Sequence, residues 1–289
     1  MRRVLRLVLL ALTIALAGCG GSPSARSGAR PASSGAPGQV ANGPVTVPLP
    51  PRPATVHVAP SHAAVPILMY HVIGTAPARA AYAGLWVSAD RFRAQVDALA
   101  HARYTAVTLD TVLDAWRGRA RLPAHPVVLS FDDGYLGQGK VAGPVLAARR
   151  WPGVINVVLH NLGTPGGISA SRIRMLLRTG WELDAHSLTH PDLTTLGPAA
   201  LRHELAGSRA ALRRRFAAPV DLFCYPAGRF NPIVEAAARA AGYRAATTEV
   251  PGAARPGGDR YALPRIRVDG TDTAAAVVAR VRAAVGSAT

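Results

Sequence analysis

Between Val65 and Val268 the chain repeats one texture: a short apolar run of strand length, then a stretch with helical spacing, with Gly, Pro or polar residues as punctuation. The pattern predicts strands at Pro66–Val72, Thr105–Leu109, Pro126–Phe131, Gly153–His160, Trp181–His186, Val220–Tyr225, Tyr243–Thr247 and Leu263–Val268. Helices are predicted at Ala89–Ala102, Gly143–Arg150, Ser171–Thr179, Ala199–Phe216, Pro232–Ala241 and Thr273–Val285. Several strands, such as Val127-Val128-Leu129, are apolar without alternation, as strands covered on both faces are. Strand and helix in such succession specify one α/β domain with a parallel sheet, open or closed into a barrel. Its chemistry then belongs at the carboxyl ends of the strands.

The preceding residues differ in kind. Arg2, Arg3 and Arg6 lead an apolar run, Leu7–Leu16, too short to cross a bilayer, and small residues follow up to Cys19. The ending Leu16-Ala17-Gly18-Cys19 resembles the bacterial lipobox, which implies lipidation of Cys19 and attachment to the outer face of the cytoplasmic membrane. Residues 19–62 are rich in Pro, Gly, Ser and Ala and read as a linker. The expected organisation is a signal peptide over 1–18, a tether over 19–62 and one folded domain over 63–289. With Cys224 as the sole cysteine beyond Cys19, that domain has no intramolecular disulfide. The net charge of +17 invites a nucleic-acid reading, but six arginines fall in residues 1–62 and the rest are scattered, without an aromatic-interleaved ribbon. A solvated basic surface facing anionic neighbours is the expectation, with no nucleic-acid partner. No feature predicts an oligomeric state.

Two clusters follow predicted strands. After Val127–Phe131 comes Asp132-Asp133-Gly134, a carboxylate pair that burial would disfavour without a cation. After Trp181–Ala185 comes His186-Ser187-Leu188-Thr189-His190-Pro191, whose histidines at i and i+4 would share a face on one helical turn and could grip one metal.

Ser130-Phe131-Asp132-Asp133-Gly134 and His186-Ser187-Leu188-Thr189-His190, with Phe223-Cys224-Tyr225-Pro226-Ala227-Gly228 after them, resemble the three leading motifs of the polysaccharide deacetylases, the NodB-homology or carbohydrate esterase family 4 group. The resemblance implies a distorted (β/α) barrel of about seven parallel strands and hydrolysis of N-acetyl groups on an N-acetylated polysaccharide. It implies a divalent metal, zinc first with cobalt, nickel or iron as alternatives, held by Asp133, His186 and His190. Asp132 would be the general base, and the Tyr225-Pro226-Ala227 segment would meet the substrate, with a backbone N–H near Ala227 stabilising the oxyanion.

Two departures stand out. Many members carry a late Leu-x-His motif, whereas this chain has no histidine after His203 and reads Leu263-Pro264-Arg265 there; Cys224 stands where many have an arginine. Together with Met69-Tyr70-His71 these departures resemble the branch that deacetylates poly-N-acetylglucosamine. Arg265 is accordingly expected to supply the cation beside Asp132 and to line the substrate site, and His71 to line the pocket and carry protons. The missing histidine keeps a second expectation open, a non-catalytic glycan-binding protein on the same fold.

Overall fold

The structure, a computed structural model, describes residues 58–286; Cys19, the signal segment and most of the expected tether lie outside the described residues. The strands are β1 (Val65–Tyr70), β2 (Val72–Ile73), β3 (Trp86–Val87), β4 (Thr105–Ala106), β5 (Pro126–Phe131), β6 (Val154–Val157), β7 (Glu182–Ala185), β8 (Leu222–Cys224), β9 (Ala245–Pro251), β10 (Ala253–Ala254) and β11 (Leu263–Arg267). The helices are α1 (Ala89–His101), α2 (Leu109–Ala115), α3 (Gly143–Ala147), α4 (Ala170–Arg178), α5 (Pro198–Phe216), α6 (Pro232–Ala240) and α7 (Ala274–Gly286).

Seven parallel strands close on themselves in the order β1-β11-β9-β8-β7-β6-β5, because β5 pairs again with β1 from Ile67↔Val128 to Tyr70↔Phe131. The seam is irregular. β11 meets only Leu68 and Met69 of β1, and the short antiparallel β10 covers Val65 and Pro66 below them. This is the expected distorted barrel.

Successive strand residues face opposite ways, and two apolar clusters divide them. Leu68, Tyr70, Leu129, Phe131, Ile155, Val157, Leu183 and Phe223 pack outward against the helices. Val65, Ile67, Val128, Val154, Leu222, Ala245 and Leu263 fill the lower barrel with Leu109, Val112 and Leu113 of α2, which plugs its amino end. Extending each inward register towards the carboxyl end places Met69, Ser130, Asn156, Asp184, Cys224, Thr247 and Arg265 above that apolar floor, all of them buried.

The sequence reading missed α2. Leu109 closes a predicted strand, but Thr108 caps a helix by accepting from the Thr111 N–H, and the strand stops at Ala106. Ordered pairing also begins inside the expected tether, where the N–H groups of Val58 and Ser61 donate to the carbonyls of Gly118 and Ala115.

Glu182 and Asp184 both point into the barrel, and the Asp110 N–H donates to Glu182 at 2.8 Å. Burial, then the Asp184 and Asp110 carboxylates, push Glu182 well above the carboxylate range; burial likewise pushes Asp184 up to about 8. The folded chain thus keeps a proton that the unfolded chain releases near pH ~4. The pair's contribution to stability is fully present below that pH and is lost as pH rises through about 8. Asp184→Asn is therefore expected to gain in thermal midpoint relative to the parent as pH is raised across that window. Parallel midpoint-versus-pH curves for the two proteins would refute the linkage.

Candidate active site

The inward registers of β5, β6, β8 and β11 meet at Asp132, which is 1% exposed. Arg265 grips it with two bonds, Nη1 to Oδ1 at 2.9 Å and Nη2 to Oδ2 at 2.8 Å. The remaining guanidinium donors reach the Thr248 carbonyl at 2.7 Å and the Ser130 hydroxyl at 3.2 Å. Asn156 Nδ2 donates to Asp132 Oδ1 at 2.7 Å, and the Cys224 thiol lies 3.6 Å from Oδ2. Burial alone would raise the Asp132 pKa, but the charge and hydrogen bonds of Arg265, with His186 and His71 nearby, hold it far below the carboxylate range.

Asp133 turns the opposite way, towards the two histidines. His186 Nε2 and His190 Nε2 lie 3.4 and 3.5 Å from Asp133 Oδ1, and one ligand atom from each of the three lies within 4.8 Å of the others. Ligands about 2.0–2.1 Å from a tetrahedral zinc are separated by roughly 3.3–3.4 Å, so the trio fits a single divalent ion. His186 Nδ1 lies 2.7 Å from the Cys224 carbonyl, an acceptor only, so Nδ1 carries a proton and Nε2 is the nitrogen turned towards Asp133. A protein carbonyl that fixes the tautomer is the usual support for a metal-ligating histidine. Burial acts against charge on His186, yet Cys224 and Asp133 outweigh it and raise its pKa well above the ordinary value, so the site favours a positive charge at that point. An alternative grouping of Asp132, His186 and Cys224 satisfies the same distance limit, but both Asp132 oxygens are already held by Arg265.

The trio does not use the expected helical turn. Residues 186–190 run as irregular backbone with Ser187 and His190 at φ 67° and 63°, and the rings still meet, their centroids 4.8 Å apart. Ser187 Oγ accepts from the His190 N–H, closing the loop locally. Of the seven non-glycine residues with positive φ among the described residues, four (Asp133, Ser187, His190 and Ala227) stand in the loops at the carboxyl ends of β5, β7 and β8. Such strain persists only where surrounding contacts over-determine it.

The other expected residues divide. His71, 8% exposed, brings Nε2 to 3.9 Å from Asp132 Oδ2, and burial lowers its pKa, which keeps it neutral near pH 7. Arg265, at 1% exposed, is sealed beneath Asp132, out of reach of a substrate. Tyr225 is also buried, its ring stacked on Phe230 at 5.0 Å, and Pro226 lies beneath the surface with it. Of that segment Ala227 alone is exposed, in a left-handed conformation that presents backbone. Tyr135 stands half-buried beside Asp133, with its hydroxyl pushed up to about 12 by burial and then by that carboxylate. His101, His125, His160 and His203 are exposed.

Three supporting residues were missed. Asn156 interrupts the apolar run Val154–Val158, and a polar residue at an inward strand position was the available signal. Gln138, fully buried in a π-helical turn, donates to the carbonyls of His71 (2.9 Å) and Asp132 (2.5 Å) and so ties the ends of β1 and β5 together. Glu204 of α5, 7% exposed, accepts from the Leu188 and Thr189 N–H groups at 2.8 and 3.0 Å and from the Thr189 hydroxyl at 2.8 Å. Nothing in the sequence distinguished these two from ordinary helical polar residues.

Comparison with known proteins finds the same barrel and motif region in polysaccharide deacetylases. Residues 119–246 match the family model described as polysaccharide deacetylase. A relative in Bacillus subtilis (strain 168), YxkH, itself provisionally named a polysaccharide deacetylase, is 28% identical over 206 residues, covering 71% of this chain and 72% of its own. BC0361, a polysaccharide deacetylase from Bacillus cereus, superposes with a TM-score of 0.69 at 25% identity over 76% of this chain and 69% of that one. The fold is shared with deacetylase PplD of Streptococcus pyogenes (TM-score 0.71, 24% identity, 76% and 99% coverage) and with IcaB from Ammonifex degensii (0.66, 24%, 77% and 98%). The matched stretch includes Asp132, Asp133, His186 and His190; His71 and Arg265 lie outside it.

Glu204→Gln replaces an acceptor-only group and weakens the hold on the His186–His190 loop. It is expected to lower zinc affinity by roughly 10- to 100-fold in a chelator competition, with little change in thermal midpoint when metal is absent. Unchanged affinity would show that the loop holds its shape without Glu204.

Proposed function

We propose that this protein is a metal-dependent N-deacetylase that releases acetate from N-acetylglucosamine-type residues of an extracellular or cell-envelope polysaccharide. The observation that carries the reading is the convergence of Asp133, His186 and His190 at ion-sharing distances beside a separate, buried and firmly held Asp132. When bound by that trio, a divalent metal would supply Lewis acidity, easing both generation of the water nucleophile and charge development on the amide oxygen.

The chain's own groups divide the remaining work. Asp132 stays ionised throughout the neutral range and accepts a hydrogen bond, and then a proton, from the attacking water. A carboxylate held so low passes the proton on readily, and neutral His71, 3.9 Å from the same oxygen, carries it towards the departing amine. Backbone at the exposed Ala227 stabilises the oxyanion. Arg265 has no proton to give at neutral pH; it orients Asp132 and compensates its buried charge. The Cys224 and Arg265 pair, together with His71, favours poly-N-acetylglucosamine among polymer substrates. Lipidation at Cys19 would hold the domain at the outer face of the cytoplasmic membrane, within reach of such polymers.

Acetate release from N-acetylglucosamine oligomers should appear in metal-loaded protein and vanish on chelation. Oligosaccharide binding without acetate release under every metal tested would favour the glycan-binding alternative. Asp132→Asn should lower kcat by about 10²- to 10⁴-fold while zinc affinity is retained. A variant as active as the parent would remove Asp132 from the reaction.

A further inference from the structure

The charge of the domain is not spread evenly over its two ends. In a barrel of this handedness each helix returns antiparallel to its strand, so the turn that follows a helix lies at the amino end of the barrel, opposite the catalytic loops. Exposed arginines occupy these turns one after another: Arg103 after α1, Arg117 after α2, Arg150 after α3, Arg178 closing α4, Arg214 in the last turn of α5 and Arg260 just before β11. Arg103, Arg150, Arg178, Arg214 and Arg260 form no ion pair with another described residue. Burial, then the positive charges of Arg244, Arg119 and Arg260, lower the pKa of Arg117, which places these cations together. Carboxylates at this end are engaged: Asp97 with Arg149, Asp110 and Asp114 with Arg244, and Asp221 with Arg209. The exception is Asp259, which accepts from the Tyr261 N–H. By contrast Asp132, Asp133, Asp192, Glu249 and Asp269 belong to the loops and strand ends at the catalytic end.

The chain also enters the domain here. Val58 and Ser61 bond to Gly118 and Ala115, at the end of α2 that plugs the amino mouth, so everything before residue 58 is attached at the arginine-rich end. We propose that this end is a docking surface for an anionic phospholipid bilayer, seating the domain with its catalytic mouth turned away from the membrane. Basic residues close to an anionic leaflet each add to its attraction, so a ring of arginines around the point of attachment acts as a second, electrostatic hold beside any lipid chain. Only the outward orientation rests on the anchored reading; the surface itself can be tested without the anchor.

The test uses residues 19–289 carrying Cys19→Ser, which keep every described residue but have no acyl chain, in co-sedimentation with phosphatidylglycerol-containing or pure phosphatidylcholine vesicles. Binding is expected on the anionic vesicles alone and should fall steeply with sodium chloride. Arg150→Glu/Arg214→Glu should weaken it by at least about tenfold, while the matched reversal at the other end, Arg79→Glu/Arg91→Glu, changes it by less than about threefold. Acetate release from short soluble oligomers should be unaltered in both, which reports folding and keeps the catalytic assignment separate from this one. Equal loss in the two double variants, no binding to anionic vesicles, or displacement by inorganic phosphate beyond that of chloride at equal ionic strength would each overturn the proposal. So would capture by soluble polyphosphate in preference to the vesicles.

Discussion

A guanidinium and a carboxylate locked together inside a barrel are the constraint on which the site depends. Arg265 and Asp132 are each about 1% exposed, and a buried pair of that kind is tolerable only when every lone pair and proton has a partner. Asn156, Ser130 and the Thr248 carbonyl complete the set. The partners come from β5, β6, β9 and β11, so the pair can form only once the barrel has closed through the β1–β11 and β1–β5 contacts. Fold closure and assembly of the Asp132 site are therefore one event. The pair also explains why a small residue, Cys224, can stand on β8: the cation arrives from β11, two strands further round the barrel.

With Asp132 fixed from below, Asp133 is free to turn outward, and adjacent residues acquire separate tasks. The left-handed φ of 71° at Asp133 is the backbone cost of pointing two neighbouring carboxylates in different directions. Comparable strain at Ser187, His190 and Ala227 is held by contacts from outside each loop or across it. Glu204 fastens the histidine loop from α5, and Gln138 spans the ends of β1 and β5 with one amide. These residues stand behind the Asp132 and Asp133–His186–His190 groups and set their geometry, which a reacting site needs to within fractions of an ångström.

The inward strand registers form a gradient along the barrel axis, from aliphatic residues at the floor, through the Glu182–Asp184 carboxyl pair, to Asp132 above. Burial inside the barrel raises the pKa of Asp184, while Asp132 above it is driven down because a cation faces it. The same burial acts on both, and the nearest charge decides the sign. At the outer surface, exposed arginines without a carboxylate partner gather at the turns below the barrel.

Sequence alone determined the strand and helix alternation, most element positions, and the identity of the two charged clusters, because periodicity and motif spacing are local properties of the chain. It also indicated Arg265, by setting a cation where the usual histidine is missing. Only the tertiary structure decided that α2 is a helix, where a Thr cap outweighed an apolar run, and that the two histidines meet through left-handed backbone rather than along a helical turn. Tyr225 passed from the expected substrate surface into the core for the same reason that Asn156, Gln138 and Glu204 escaped notice. Which way a side chain faces, and what stands opposite it, is fixed by register and packing between segments far apart in sequence, and no local pattern encodes that.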